Sequence, residues 1–260
     1  MLLLLPPSEG KTAPGSGSPL ELRSLQGPSL NAHRRLVLRS LIAVSRRPDA
    51  VDVLGVGRSL ADEVARNRHL RTAPAAPAAT VYTGVLYAAA GLDRLPDAVA
   101  ERRAAESVLT VSALWGVVGP ADLIPAYRLS MAVTLPGVGP LAASWRAPLR
   151  RALDRRAGAE LVLDCRSAPY AAAWPGVRGG PGHVSVSVLR EVDGRRTVVS
   201  HSAKHVRGLL TRHLLCRAGE LPTSPAEACD TAGELVGPVL RDVGLRAGTS
   251  GRHVLELLTI

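Results

Sequence analysis

Four leucines in a row, Leu2 to Leu5, stop at Pro6-Pro7. An apolar run that is continuous, short and closed by a turn signal predicts a strand buried within a sheet. A helical pattern soon follows. Leu30, Val37, Leu38, Leu41, Ile42 and Val44 recur at helical spacing, with Ser29 placed to cap the helix and Pro48 to end it. Sheet and helix must therefore share one core.

The remaining segments extend the alternation. Leu54-Gly55-Val56-Gly57-Arg58 leads into a second helical run to about Asn67, and the Pro/Ala-rich stretch 72–79 reads as a surface loop. Thr80 to Thr83, Val108 to Val111, Tyr127 to Thr134, Leu161 to Asp164 and His253 to Thr259 read as strand-like pieces, and Pro148 to Arg156 as a basic helix stopped by Gly158. Asp193-Gly194 between Val184–Leu189 and Thr197–His201 signals a tight hairpin, with a helix from about Ala203 to Arg217 after it. Ser224-Pro225-Ala226-Glu227 supplies cap, first-turn proline and capping-box acid for another helix. The class is α+β, and 1–260 need be no more than one domain.

Charge and cysteine content bound the partners. The net charge of +10 suits a polyanion, because each phosphate contact releases counterions whatever the base sequence. Cys165, Cys216 and Cys229 are odd in number and lack paired spacing, so a reducing cytoplasm is expected. Met1 to Leu5 has neither the basic leader nor the length of an export signal, and no later run suits a membrane span. Of 32 Lys+Arg residues only Lys11 and Lys204 are lysines. Under such a bias toward arginine, a surviving lysine marks a place where a compact, titratable ammonium is wanted.

Several motifs bear on chemistry. Leu54-Gly55-Val56-Gly57 and Pro136-Gly137-Val138-Gly139 both have the glycine pattern of a helix-hairpin-helix turn, whose second helix offers free N–H groups to a backbone phosphate. The first lies between helical stretches (about 30–69) with Arg58 opening the second; only the downstream half of the other is helical. Ser8-Glu9-Gly10-Lys11-Thr12 ends like a phosphate-binding loop, but its earlier glycine would fall at Leu5, which excludes nucleotide hydrolysis of that type. Lys11 is left to meet a phosphate or carboxylate at the sheet's edge. His201 and His205 are expected on a strand and a helix respectively, which breaks a helical ligand pair, so no metal and no cofactor are expected. No G-x-S-x-G elbow is present, though Asp164-Cys165-Arg166-Ser167 at a strand end can line a pocket.

Four of these segments together resemble the YaaA family of peroxide stress proteins. They are Leu2 to Thr12, Val81-Tyr82-Thr83-Gly84, the long block Leu114 to Met131 with its Asp122-Leu123-Ile124 and Tyr127-Arg128-Leu129, and Ala203-Lys204-His205-Val206-Arg207-Gly208. The resemblance implies a central mixed β-sheet flanked by helices, a helix-hairpin-helix element and a positively charged cleft. It further implies DNA binding and a part in limiting iron-mediated peroxide damage. Ser8-Glu9-Gly10, Val206 and the extra glycines near Gly137 depart from the family pattern.

Two readings follow. In one, a cytoplasmic, monomeric, non-enzymatic protein binds DNA non-specifically, with Gly55, Gly57 and Arg58 on phosphates and Ser8, Lys11, Arg128, Lys204 and Arg207 lining a basic cleft. In the other, an enzyme acts on a small anionic ligand with Lys11, Tyr82, Arg128, Asp164, Ser167, Tyr170 and Lys204 as candidate catalytic or holding groups. A scaffold for a protein partner is a third, weaker alternative.

Overall fold

The computed structural model describes residues 1–177, 179–192, 195–199, 201–248 and 252–260, with His201 described by its backbone alone. Eight strands form one mixed sheet: β1 (Leu2–Leu5), β2 (Val108–Ser112), β3 (Gly116–Val118), β4 (Val162–Asp164), β5 (His183–Val192), β6 (Arg195–Val198), β7 (Leu240–Ala247) and β8 (Arg252–Thr259). Their order is β7-β8-β5-β4-β1-β2-β3, with β6 paired to β5. The inner pairs β1–β2, β1–β4, β4–β5 and β5–β8 are parallel, whereas β2–β3, β5–β6 and β7–β8 are antiparallel.

The four leucines of β1 are fully buried. Neighbouring residues on a strand point to opposite faces, so both faces of the sheet are covered at this strand, and each leucine contributes roughly 2 kcal/mol of burial. The covering helices are α1 (Asn31–Val44), α2 (Ala50–Val53), α3 (Ala61–Arg66), α4 (Ala78–Val81), α5 (Val85–Ala90), α6 (Ala98–Ser107), α7 (Leu141–Ala159), α8 (Ala168–Ala173), α9 (His201–Cys216) and α10 (Pro225–Gly233). Helices α5 and α6 pack on α9, and α7 packs on α8. Among the described residues, no helix is long and apolar enough to cross a membrane.

The mixed sheet flanked by helices is as expected, while several elements differ. Ser29 lies within a 3₁₀ turn (Pro28–Leu30) leading into α1 and makes no cap bond. Thr80 and Val81 belong to the single turn of α4, not to a strand; the Val and Thr preference for strands yields to the tertiary setting. Between Tyr127 and Thr134 the chain is irregular, and only Thr134–Leu135 pairs, with Gly139–Pro140. Helix α7 begins well before Pro148, contains it, and runs through Gly158. His201 opens α9 instead of ending a strand, so it shares that helix with His205. The tight turn assigned to Asp193-Gly194 lies outside the described residues, though the strands on either side do pair. Strand β7 had no counterpart in the sequence reading.

One buried cation fixes the loop before α1. Arg34, wholly buried, donates to the carbonyls of Trp115, Val117, Gln26 and Gly27 and to Asn31 Oδ1. Its planar five-donor fork is the only side chain able to satisfy so many acceptors at once.

Candidate functional site

The parallel strands β1 and β2 both end at one edge of the sheet, the place where open α/β sheets collect ligand-binding loops. Pro6-Pro7 ends β1, and the chain turns through Ser8, Glu9 and Gly10 so that Lys11 forms an antiparallel bridge with Tyr82. Thr12 N–H donates to the Val81 carbonyl at 3.0 Å. The motif after the buried strand is thereby stitched to the Val81-Tyr82 motif.

Lys11 Nζ donates to the Ser8 carbonyl at 2.5 Å and to the Glu9 carbonyl at 3.3 Å. It lies 4.3 Å from the ring centroid of Tyr127 and 5.6 Å from that of Tyr82. The residue keeps some surface at the rim, yet its ammonium is packed under phenol rings. Burial, then the neighbouring Arg128 guanidinium, pull its pKa from 10.5 down to about 7 against the opposing pull of Glu63 and Glu9.

Beneath the lysine runs a chain of hydroxyls. Tyr82 Oη meets Tyr127 Oη at 3.0 Å, and Tyr127 Oη meets Ser112 Oγ at 2.7 Å. Tyr87 Oη donates to the Pro6 carbonyl and contacts Thr110 Oγ1 at 2.8 Å. Burial raises the pKa of Tyr82, Tyr87 and Tyr127, so all three stay neutral phenols. Tyr170 of α8, close to Glu9 and Arg128, is pushed up to about 12, chiefly by burial.

Arg128 stands beside Lys11. Its guanidinium pairs with Glu9 at 3.3 Å and Glu63 at 3.5 Å. Its backbone is held at both ends by buried Asn67, which accepts from Arg128 N–H and donates to Arg128 C=O, each at 2.9 Å. Ser8 is buried, and its Oγ has no hydrogen-bond partner among the described residues. That hydroxyl presses on Gly84, where any side chain would collide with it.

Ser8, Lys11, Tyr82, Arg128 and Tyr170 are thus brought together. The other expected members have surroundings of their own. Asp164 is buried against Arg166 at 2.6 Å and His183 at 3.1 Å, and these partners outweigh burial and hold its carboxyl far below the usual range. Ser167 is exposed just before α8, and Lys204 is exposed on α9. Arg207 donates to the Val186 carbonyl at 2.7 Å. Nearby Cys165 is pushed up to about 12 by burial despite the Arg207 charge, so it is no thiolate nucleophile. Where Lys11 and Arg128 meet, two carboxylates, Glu9 and Glu63, face them.

The first glycine turn is exposed. Gly55 adopts φ +63°, a left-handed conformation that favours glycine, and Val56 N–H returns to the Val51 carbonyl at 3.1 Å. Its arms are short, the single turn of α2 on one side and a 3₁₀ turn (Arg58–Leu60) entering α3 on the other. Gly137 lies in the bend of a small β-hairpin and Gly139 begins its second strand, which leads into α7. Among the described residues no group of three His, Cys, Asp or Glu side chains is arranged to hold a metal. Open hollows of about 330 and 360 Å³ flank α9; Arg212, His213 and Arg217 line the first and Arg190 and His205 the second, beside apolar residues such as Leu209 and Val239.

Glu63, Asn67 and Tyr127 escaped the sequence reading as site residues. Tyr127 lies inside the central block, whereas no sequence motif marks Glu63 or Asn67.

Comparison with known proteins bears on the whole chain. A family model described as peroxide stress protein YaaA matches residues 1–225. A UPF0246 protein of Streptomyces coelicolor is 48% identical over 247 residues, covering 94% of this chain and 90% of its own length. A UPF0246 protein of Corynebacterium efficiens is 42% identical over 251 residues, covering 94% of both chains. One from Corynebacterium glutamicum is 40% identical over 224 residues, covering 82% of this chain and 84% of itself.

Proposed function

Because this chain belongs to the YaaA family of peroxide stress proteins, we propose that it serves peroxide defence by binding DNA through backbone phosphates and so helps limit iron-mediated damage. In this reading it works as a cytoplasmic monomer. The observation that carries it is the exposed turn Gly55–Arg58, together with exposed arginines that no carboxylate neutralises among the described residues. Arg35, Arg39, Arg46, Arg58 and Arg71 are exposed and make no ion pair among the described residues. Such cations hold phosphates without reading bases. Fluorescence anisotropy with a labelled duplex, titrated over a range of salt, is the test. Affinity should fall linearly on a log–log plot, with a slope near −0.9 per phosphate contact. No binding at low salt sinks the reading.

A second reading is favoured by the buried amine at Lys11. There the protein is an enzyme acting on a small anionic substrate, with Lys11 as base or nucleophile and Arg128 as the holder of negative charge. The pair Lys11→Arg and Lys204→Arg separates the two. DNA binding tolerates both substitutions, whereas chemistry at the amine is lost in Lys11→Arg alone.

A further inference from the structure

The bonding around Lys11 accommodates a neutral amine as well as an ammonium. Two carbonyls, of Ser8 and Glu9, receive its two N–H bonds and leave the lone pair for a third partner. Lysine amines become nucleophiles toward carbonyl compounds when they are desolvated or set beside a second cation. Lys11 has both conditions, the Tyr127 and Tyr82 rings against it and the Arg128 guanidinium next to it. Arg128 also has room for an exchange. Its contacts with Glu9 and Glu63, at 3.3 and 3.5 Å, are longer than a tight charge-assisted bond of about 2.8 Å, and Glu9 sits on an exposed turn.

Building on the second reading above, we propose that Lys11 forms an imine with a small oxo acid whose carboxylate takes the place of Glu9 on Arg128. The Nζ lone pair forms a bond to the carbonyl carbon while the carbonyl π pair moves to oxygen. Both amine hydrogens then leave with that oxygen as water, and a C=N bond replaces C=O. No oxidant or reductant enters the step. The charged and titratable groups around Nζ are Arg128, Glu63 of α3 and Glu9, together with the phenols of Tyr82 and Tyr127; Tyr170 of α8 lies near Glu9 and Arg128. Burial raises the pKa of all three phenols, so they stay neutral near pH 7.

The chain's two lysines make the test internal. The full-length protein is treated at pH 7 with glyoxylate and cyanoborohydride, which fixes an imine as a carboxymethyl amine, and the site is located by fragment-ion mass spectrometry. Lys11 should carry at least about ten times the adduct of Lys204, because Lys11 is desolvated under phenol rings beside a second cation whereas Lys204 is exposed on α9. Propionaldehyde, which lacks a carboxylate, should lose most of the preference for Lys11. Equal or greater labelling at Lys204 overturns the proposal, and so does equal preference for the neutral aldehyde. If glyoxylate binds by calorimetry without labelling Lys11, imine formation falls while the small-anion reading stands. If it neither binds nor labels, both fall. Wild-type protein suffices for every arm, so a variant that fails to fold does not blunt the test.

Discussion

The turn at Gly55–Arg58 and the turn at Ser8–Lys11 stand out in the sequence for the same reason: a glycine-bearing bend with a cation at its end, suited to an anion. In three dimensions they are opposites. Arg58 stands in solvent with no acid paired to it among the described residues, where charge acts at long range and in proportion to its number. Lys11 is packed under phenols, faces two carboxylates, and has lost much of its charge at neutral pH. A formal count of +10 weights these cations equally. Burial decides which of them attracts a polyanion and which can do chemistry.

The two regions are joined through the segment 58–67. Its start carries the glycine turn; its later part supplies Glu63 to the Arg128 guanidinium and Asn67 to the Arg128 backbone. Removing that joint should produce the largest effect. Asn67→Ala strips two partners from half-buried backbone groups of Arg128 and empties a buried site, and loss of about 2–4 kcal/mol is expected in chemical denaturation. A cost below about 0.5 kcal/mol would show that water replaces the amide and that the regions are held independently.

The next effect sharpens the contrast through pH. With Lys11 near 7 in the folded chain and about 10.4 when unfolded, the unfolded state binds the extra proton between those values. Stability attributable to Lys11 should therefore rise with pH from about 7, by roughly 1 kcal/mol per pH unit; below 7 both states are protonated and the cost of burying the charge is borne in full. The cysteines, Cys165 buried and Cys216 and Cys229 half-buried, oppose this above about 8.5, since burial raises their folded pKa values while unfolded thiols ionise. The clean comparison is wild type against Lys11→Met from pH 7 to 8.5, read as the difference between denaturation curves. Parallel curves would mean that the amine is hydrated and titrates normally.

How far the sequence could anticipate all this depends on what each residue answers to. Leu2–Leu5 and the cap at Ser224, which accepts from Glu227 N–H, obey local rules and were legible. Pro148 was not: proline commonly opens a helix, but inside α7 it forfeits one hydrogen bond that packing of Trp145, Leu149 and Leu153 offsets. Lys11, Tyr82, Arg128 and Tyr170 were legible as residue types and converge. Asp164 illustrates the opposite case. Residues two apart on an extended chain share a side, so Arg166 was always placed to claim its carboxylate, a contact that makes structure instead of catalysis. Glu63 and Asn67 were hidden because their partner is sixty-odd residues away in sequence, and no local pattern marks such a pairing.

The smallest expected effect is on the exposed side, and it is the one that can break the comparison. Arg58 is solvent-exposed with no bonded partner among the described residues, so Arg58→Ala should leave stability within about 0.5 kcal/mol of wild type. If the glycine turn touches phosphate, the same change should weaken duplex binding similarly for every base sequence and lower the salt slope by about 1. Lys11→Met should leave that slope unaltered, because a half-neutral, acid-faced amine contributes little to counterion release. A salt slope that drops for Lys11→Met and not for Arg58→Ala would reverse the assignment, making the pocket the polyanion site and the turn a mere bend.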